Sequence, residues 1–283
     1  MLALSIKQAL GMAKLAFGDH ESAQIDSELL LAFAIGRDRT YLYTWPEKLL
    51  SATEQATFEQ LVERRVVGEP VAYLVGTRDF WSFTLRVNPH VLIPRPETEL
   101  LVETALSLLG DGAQRVVDLG TGSGAIALAI ALERPDCQVL ATDFSAEALA
   151  LAGANARQLT LTNIEFKQGS WYAAIQECLF DMIVSNPPYI AADDPHMSQG
   201  DLRFEPTTAL AAPDSGFADL QEIISGATQR LTENGWLLLE HGYEQGEGVR
   251  GLLTSCGFAQ IQTLQDINGC DRLTLGCRTV LSD

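Results

Sequence analysis

The sequence predicts an α/β chain: an open, mostly parallel sheet with helices on both faces, preceded by a small helical unit and a β-hairpin. Three observations carry this. From Arg115 onward, apolar strand-like runs alternate with helix-like runs, the pattern of a doubly wound sheet. Asp118-Leu-Gly-Thr-Gly-Ser-Gly124 separates the first such strand from its helix, and Asp143 ends the next strand about twenty residues on. Residues 1–75, by contrast, repeat apolar positions at helical spacing. The expected organisation is therefore a helical domain at 1–75, a hairpin linker at 76–95 and the sheet domain at 96–283.

In the helical domain, Ile6, Leu10, Ala13 and Phe17 share one helix face, and Gln24–Ile35 forms a second helix. Ser51 and Glu54 form a capping box that opens a third through Leu61. No chemistry is visible here, so the unit reads as a docking module or a structural cap. In the linker, Phe80–Val87 alternates, Asn88-Pro89-His90 turns, and Val91–Ile93 is a short strand, together a hairpin signal. Pro94-Arg-Pro-Glu-Thr-Glu99 is a stiff turn into the helix Leu100–Leu109, with Thr98 or its neighbour as a cap and Arg95 and Glu97 free to line a site. Strands follow at Arg115–Leu119, Gln138–Thr142, Ile164–Lys167, Phe180–Val184 and Trp236–Glu240. Helices are read at Ala125–Leu132 and after a Ser145 cap. Ala259–Leu264 and Arg272–Leu275 close the sheet as an antiparallel pair, and Asp193–Pro213 is an irregular, Pro-rich stretch.

Composition narrows the classes. At 283 residues, 47% of them hydrophobic, the chain can bury a large core. Its longest apolar run, around Ala125–Leu132, is far below the ~18 residues needed to cross a bilayer, and its start lacks the features of a leader. A soluble, cytoplasmic protein is expected. The five cysteines (137, 178, 256, 270 and 277) include no C-x-x-C, which argues against a disulfide framework or a metal site and for reduced, mostly buried thiols. Net charge is −18, with twelve Lys/Arg against twenty-seven Asp/Glu after residue 75. Gripping nucleic acid requires a basic footprint, whereas this balance draws in a basic partner.

The glycine loop carries the first chemistry. Glycines let the backbone approach a ligand closely at a helix N-terminus, and Asp143 can accept from ribose hydroxyls. Gly120, Thr121, Gly122, Ser123, Gly124 and Asp143 are therefore candidate ligands of an adenosine-containing cofactor. Gly120, Gly122 and Ala125 also satisfy G-x-G-x-x-A, so NAD and S-adenosyl-L-methionine (AdoMet) both fit here. Asn186-Pro-Pro-Tyr189, at the carboxyl end of an apolar strand, decides between them. Two prolines stiffen the loop, so the Asn186 side-chain oxygen and the Pro187 carbonyl form a fixed pair of acceptors suited to an –NH2 group. Tyr189 offers a flat face to a planar substituent. Hydride transfer has no use for such a clamp; methyl transfer to a planar amine does.

With these motifs the chain resembles the class I (Rossmann-like) AdoMet-dependent methyltransferases that modify planar –NH2 groups. Two subfamilies share Asn-Pro-Pro-Tyr, acting on adenine N6 or on protein glutamine N5. Over essentially its full length the chain is similar to the peptide chain release factor glutamine methyltransferase family (PrmC, HemK). The likeness includes Phe80-Trp81, Ile93–Glu99, the glycine loop, Asn186–Tyr189, Arg203-Phe-Glu-Pro206 and Leu238–Gly242. It implies methyl transfer from AdoMet to the N5 amide nitrogen of the glutamine in the Gly-Gly-Gln motif of class I release factors, the expected partners. A ribosomal-protein glutamine methyltransferase is the alternative, and a nucleic-acid adenine-N6 enzyme a more distant one. Asn186, Pro187 and Tyr189 are then the catalytic candidates, joined by Pro188 in binding substrate. Asn186 also reaches the cofactor, and Trp171 lies near its adenine. Glu205 and His241 have no partner identifiable from sequence and read as structural.

Overall fold

The computed structural model describes residues 3–19, 21–175, 178–191, 193–198 and 200–279. Met1 and Leu2, where a leader would begin, and Gln199, inside the Pro-rich stretch, lie outside the described residues. By their internal contacts the described residues form two compact units, those within Met1–Thr77 and Ser198–Phe204, and those within Arg78–Met197 and Glu205–Asp283.

The first unit is helical: α1 (Ile6–Phe17), α2 (Ala23–Ile35), α3 (Arg39–Thr44), α4 (Ala52–Val66) and α5 (Val71–Val75). The Ser51–Glu54 capping box forms, and Ser5 and Gln8 make a second one at the start of α1. Ile6, Ala9, Leu30, Leu31, Leu42, Phe58 and Leu61 fill the core. α3 and α5 escape the sequence reading because six and five residues are too few to display a helical period. Ser198–Phe204 belongs here through Asp201, which takes the Arg65 guanidinium at 2.9 Å beside Asp26 on α2, also at 2.9 Å.

The second unit opens with a hairpin, β1 (Thr77–Phe80) and β2 (Phe83–Arg86), turning at Trp81 with φ 56°. The hairpin thus comes earlier than the sequence reading has it, and Val91–Ile93 is not a strand. Val91 and Ile93 are buried as a strand's apolar positions would be, but Pro89, Pro94 and Pro96 around them cannot donate to a ladder. There follow α6 (Glu99–Leu108), β3 (Arg115–Leu119), α7 (Ala125–Glu133), β4 (Gln138–Asp143), α8 (Ala146–Gln158), β5 (Ile164–Gln168) and β6 (Phe180–Ser185). Beyond them lie the short pair β7 (Ile190–Ala191) and β8 (Ala211–Ala212), the turn α9 (Pro213–Gly216), and α10 (Ala218–Ala227). β9 (Leu231–Glu240), α11 (Gly246–Ser255), β10 (Phe258–Gln265) and β11 (Asp271–Arg278) complete the unit.

Seven of these strands form one sheet in the order β10-β11-β9-β6-β3-β4-β5, parallel from β5 to β9 and antiparallel at β11 and β10. Its central strands are buried on both faces, which is why they read as continuous apolar runs rather than alternations. Val116, Met182 and Val184 pack with α6 and α7 on one face; Val117, Ile183 and Leu239 pack with α10 and α11 on the other. α7 is apolar all round because it is buried all round. Cys137 and Cys277 are buried and the other three cysteines are partly exposed, so the thiols are free but less buried as a group than expected. Among the described residues no helix is long and apolar enough to cross a membrane.

Candidate active site

After β3 the chain builds β4 and β5 to one side, then returns to lay β6 on the other side of β3. The carboxyl ends of β3 and β6 therefore diverge, leaving a crevice of the kind that binds ligands in open α/β sheets. Leu119 and Ser185 are register partners at this point, and the Ser185 hydroxyl donates to the Leu119 carbonyl at 2.7 Å. The glycine loop leaves one strand end and the Asn186 loop the other. Between them opens a cavity of about 750 Å³, a size common for small-molecule sites.

The loop is pinned by the end of β4. Gly120 and Thr121 both donate their N–H to the Thr142 carbonyl at 2.9 Å. Asp143 accepts from the Gly122 N–H through one carboxyl oxygen and the Ser145 N–H through the other, each at 2.9 Å. A carboxylate has about four acceptor sites, so lone pairs remain for a ligand. Burial pushes the Asp143 pKa up, and the backbone N–H groups pull it back. Trp171 follows β5 and lies over the loop: a Cβ on Gly120, whose φ is +74°, would meet its ring at 3.3 Å. Below the loop, Asp118 is fully buried and accepts the Thr121 hydroxyl at 2.6 Å; burial raises its pKa to about 7.

On the opposite wall, Asn186 is half-buried and donates through Nδ2 to the Thr98 hydroxyl oxygen at 3.3 Å. Thr98 stands at the N-terminus of α6, yet its side chain caps nothing and serves this contact instead. The Tyr189 hydroxyl donates to Glu240 Oε1 at 3.3 Å, and the Tyr189 carbonyl accepts from Gln245 Nε2 at 3.1 Å. Burial drives the Tyr189 phenol pKa well upward.

Of the predicted site residues, Gly120, Thr121, Gly122, Ser123, Asp143, Trp171, Asn186 and Pro188 line the one cavity. Gly124 sits behind it as the N-cap of α7, Pro187 is buried, and the Tyr189 ring packs toward the core on the α10 face. Glu205 and His241 do have partners. Glu205 takes the Arg95 guanidinium and the Ile93 N–H (3.1 Å for the latter), which ties the Pro-Arg-Pro turn to Pro206 at the cavity wall. His241 Nε2 meets the Thr274 hydroxyl at 2.7 Å, and burial lowers its pKa. Sequence reasoning missed Asp219 on α10, which lines the cavity and whose carboxyl faces the Trp171 indole. It also missed Glu240, whose one visible signal was an acid ending the apolar run Leu237-Leu-Leu239.

Residues 8–76 match the family model described as the PrmC N-terminal domain, and residues 96–200 match the methyltransferase small domain. The sheet resembles that of a solved 16S rRNA N2 G1207 methyltransferase from T. thermophilus, held in complex with AdoMet and guanosine. The TM-score is 0.53 at 21% identity, covering 72% of this chain and 50% of that one. At such identity the likeness speaks for the fold. The Aliivibrio fischeri release factor glutamine methyltransferase is 49% identical over 97% of this chain and 98% of its own length. The Pseudomonas aeruginosa protein of the same name is 52% identical over 91% and 94%. This chain is therefore a methyltransferase, and it belongs to the release factor glutamine methyltransferase family.

Proposed function

We propose that the chain transfers a methyl group from AdoMet to the N5 amide nitrogen of the glutamine in the Gly-Gly-Gln motif of class I release factors. The observation that carries this reading is the stiff Asn186 loop standing on the same cavity as the glycine loop and Asp143. Gly120–Gly124, Asp143 and Trp171 suit the loop approach, ribose and adenine of AdoMet, and the acceptors left on Asp143 fit a pair of ribose hydroxyls. AdoMet supplies a methyl group on a positively charged sulfonium, which leaves as a neutral thioether.

The rest is the work of the chain's own residues. A carboxamide nitrogen is a weak nucleophile because its lone pair is delocalised into the carbonyl. Asn186 Oδ1 and the Pro187 carbonyl, each accepting one N–H, would hold that nitrogen with its lone-pair direction toward the methyl carbon. Positioning alone is a large catalytic term. The same two oxygens stabilise positive charge growing on nitrogen, as an oxyanion hole stabilises negative charge. The nitrogen pair forms the N–C bond, the C–S pair stays with sulfur, and the nitrogen proton is acidic enough to pass to water. Pro188 would bound the amide plane, while Tyr189, its ring packed toward α10 rather than into the cavity, would brace the loop from behind. Residues 1–75 are read as the docking unit for the release factor, and the reading sets the enzyme in the cytoplasm, where its substrate works.

Incubating the protein with methyl-labelled AdoMet and a purified release factor tests this. Label in the release factor, and none in RNA or DNA offered instead, is the expected result. The excess of acidic residues after residue 75 supports a protein substrate over a nucleic acid. Label appearing only in nucleic acid would reverse the reading.

A further inference from the structure

Behind the Asn186 loop lies a carboxyl group that the proposed methyl transfer does not use. Glu240 ends β9 and is 1% exposed. Its Oε1 accepts the Tyr189 hydroxyl, and its Oε2 is buried without a partner in normal hydrogen-bond geometry among the described residues. The Thr98 hydroxyl faces the same carboxyl. Thr98, 4% exposed, accepts in turn from Asn186 Nδ2 at 3.3 Å. Thr98 thus links the buried acid to Asn186 at the cavity.

The direction of this chain matters because an asparagine amide has two different ends. An ionised carboxylate only accepts, so it draws the Thr98 proton to itself and leaves Thr98 a lone pair for Asn186. Asn186 must then give Thr98 its NH2 and turn its oxygen to the cavity. A protonated Glu240 can donate to Thr98 instead. The Thr98 proton then swings to Asn186, whose amide turns over and offers the cavity an NH2, which cannot accept an N–H. We propose that Thr98 and Glu240 are positioning residues that fix the Asn186 amide with its oxygen toward the acceptor nitrogen, and that protonating Glu240 releases it. This rests on the reading of Asn186 as one jaw of the clamp.

The groups facing Glu240 come from three sides. Arg272 on β11, itself held by Asp266, favours the ionised form; Glu97 in the turn before α6 opposes it; Tyr189 donates from the loop after β6. Burial outweighs them and raises the Glu240 pKa to about 7, so the switch falls near neutrality.

The test is the dependence of kcat on pH, at saturating AdoMet and release factor, for the wild type, Glu240→Gln, Thr98→Val and Thr98→Ser. Wild-type kcat should fall about tenfold per pH unit on the acid side of a single titration near neutrality. Glu240→Gln, which like the neutral acid can donate, should be about 10–100-fold slower above pH ~8 and lack that acid limb, with AdoMet affinity within about twofold of wild type. Thr98→Val should be slowed similarly, and Thr98→Ser, which keeps the hydroxyl, should recover the rate. If Glu240→Gln does not fold, the Val and Ser pair decides. A Glu240→Gln enzyme with the wild-type acid limb, or a Thr98→Val enzyme at full rate, overturns this inference alone. A wild type that methylates no glutamine overturns the underlying reading as well.

Discussion

Asn186 and Asp143 stand on opposite walls of one cavity, and their duties are separable. Asn186→Ala should lower kcat by on the order of 10²-fold or more, because a positioned hydrogen-bonding group is lost at the reacting atom. Its AdoMet affinity, measured by calorimetry, should be nearly intact. Asp143→Ala should weaken AdoMet binding roughly 10-fold to 100-fold, the range for hydrogen bonds to a charged group. An unchanged dissociation constant would mean that the ribose lies elsewhere. Most of these residues are legible in the sequence because they sit in contiguous motifs at strand ends, where spacing alone predicts convergence. Thr98, Asp219 and Glu240 are not. Each comes from a different element, and only the folded sheet sets Thr98, at the start of α6, with Asn186 on one side and the carboxyl of Glu240, at the end of β9, on the other. Glu205 shows the same limit: its partners, Arg95 and Ile93, lie more than a hundred residues away.

Among the elements, the Asn186 loop depends on its neighbours as much as on its two prolines. The Tyr189 carbonyl presses against Gly216 in α9, where a Cβ would lie 2.1 Å from that oxygen and φ is +84°. Gly216→Ala should therefore push the loop from the cavity and cut kcat on the order of 10-fold to 100-fold, as a displacement near 1 Å can do. AdoMet binding and the fold should change far less, and a variant with wild-type kcat would show that the loop has slack. The sheet itself was readable because buried parallel strands and their covering helices differ sharply in pattern, and β3, β4, β5 and β6 lie within a residue or two of expectation. The hairpin is not legible at its true place because Val87, Val91 and Ile93 bury like strand residues while the prolines among them forbid pairing. No local signal could assign Ser198–Phe204 to the helical unit, since its tie is the long-range ion pair of Asp201 with Arg65.

For the whole molecule, the buried acids link stability to pH. Burial raises Asp118 and Glu240 to about 7, so each binds its proton more tightly folded than unfolded. The stability they contribute is complete below the ordinary carboxylate range and is lost as pH rises through about 7. His241, lowered by burial, works in the opposite sense, gaining stability up to its ordinary value near 6.5. Comparing variants isolates one group. Glu240→Gln cannot ionise, so its unfolding free energy in urea should gain on that of the wild type by on the order of 1–3 kcal/mol between pH ~5 and ~8. A constant difference would mean that Glu240 titrates normally. The same substitution should slow the enzyme, so the carboxylate is kept at a cost in stability. The atom that receives the methyl group is read directly by tandem mass spectrometry of a release factor treated with the protein and AdoMet. The expected result is a single methyl on the side-chain amide nitrogen of the glutamine in the Gly-Gly-Gln peptide, formed on the order of 10²-fold more slowly when Asn186→Ala replaces the wild type. A methyl on any other residue, or on that glutamine in equal amount with Asn186→Ala, would contradict it.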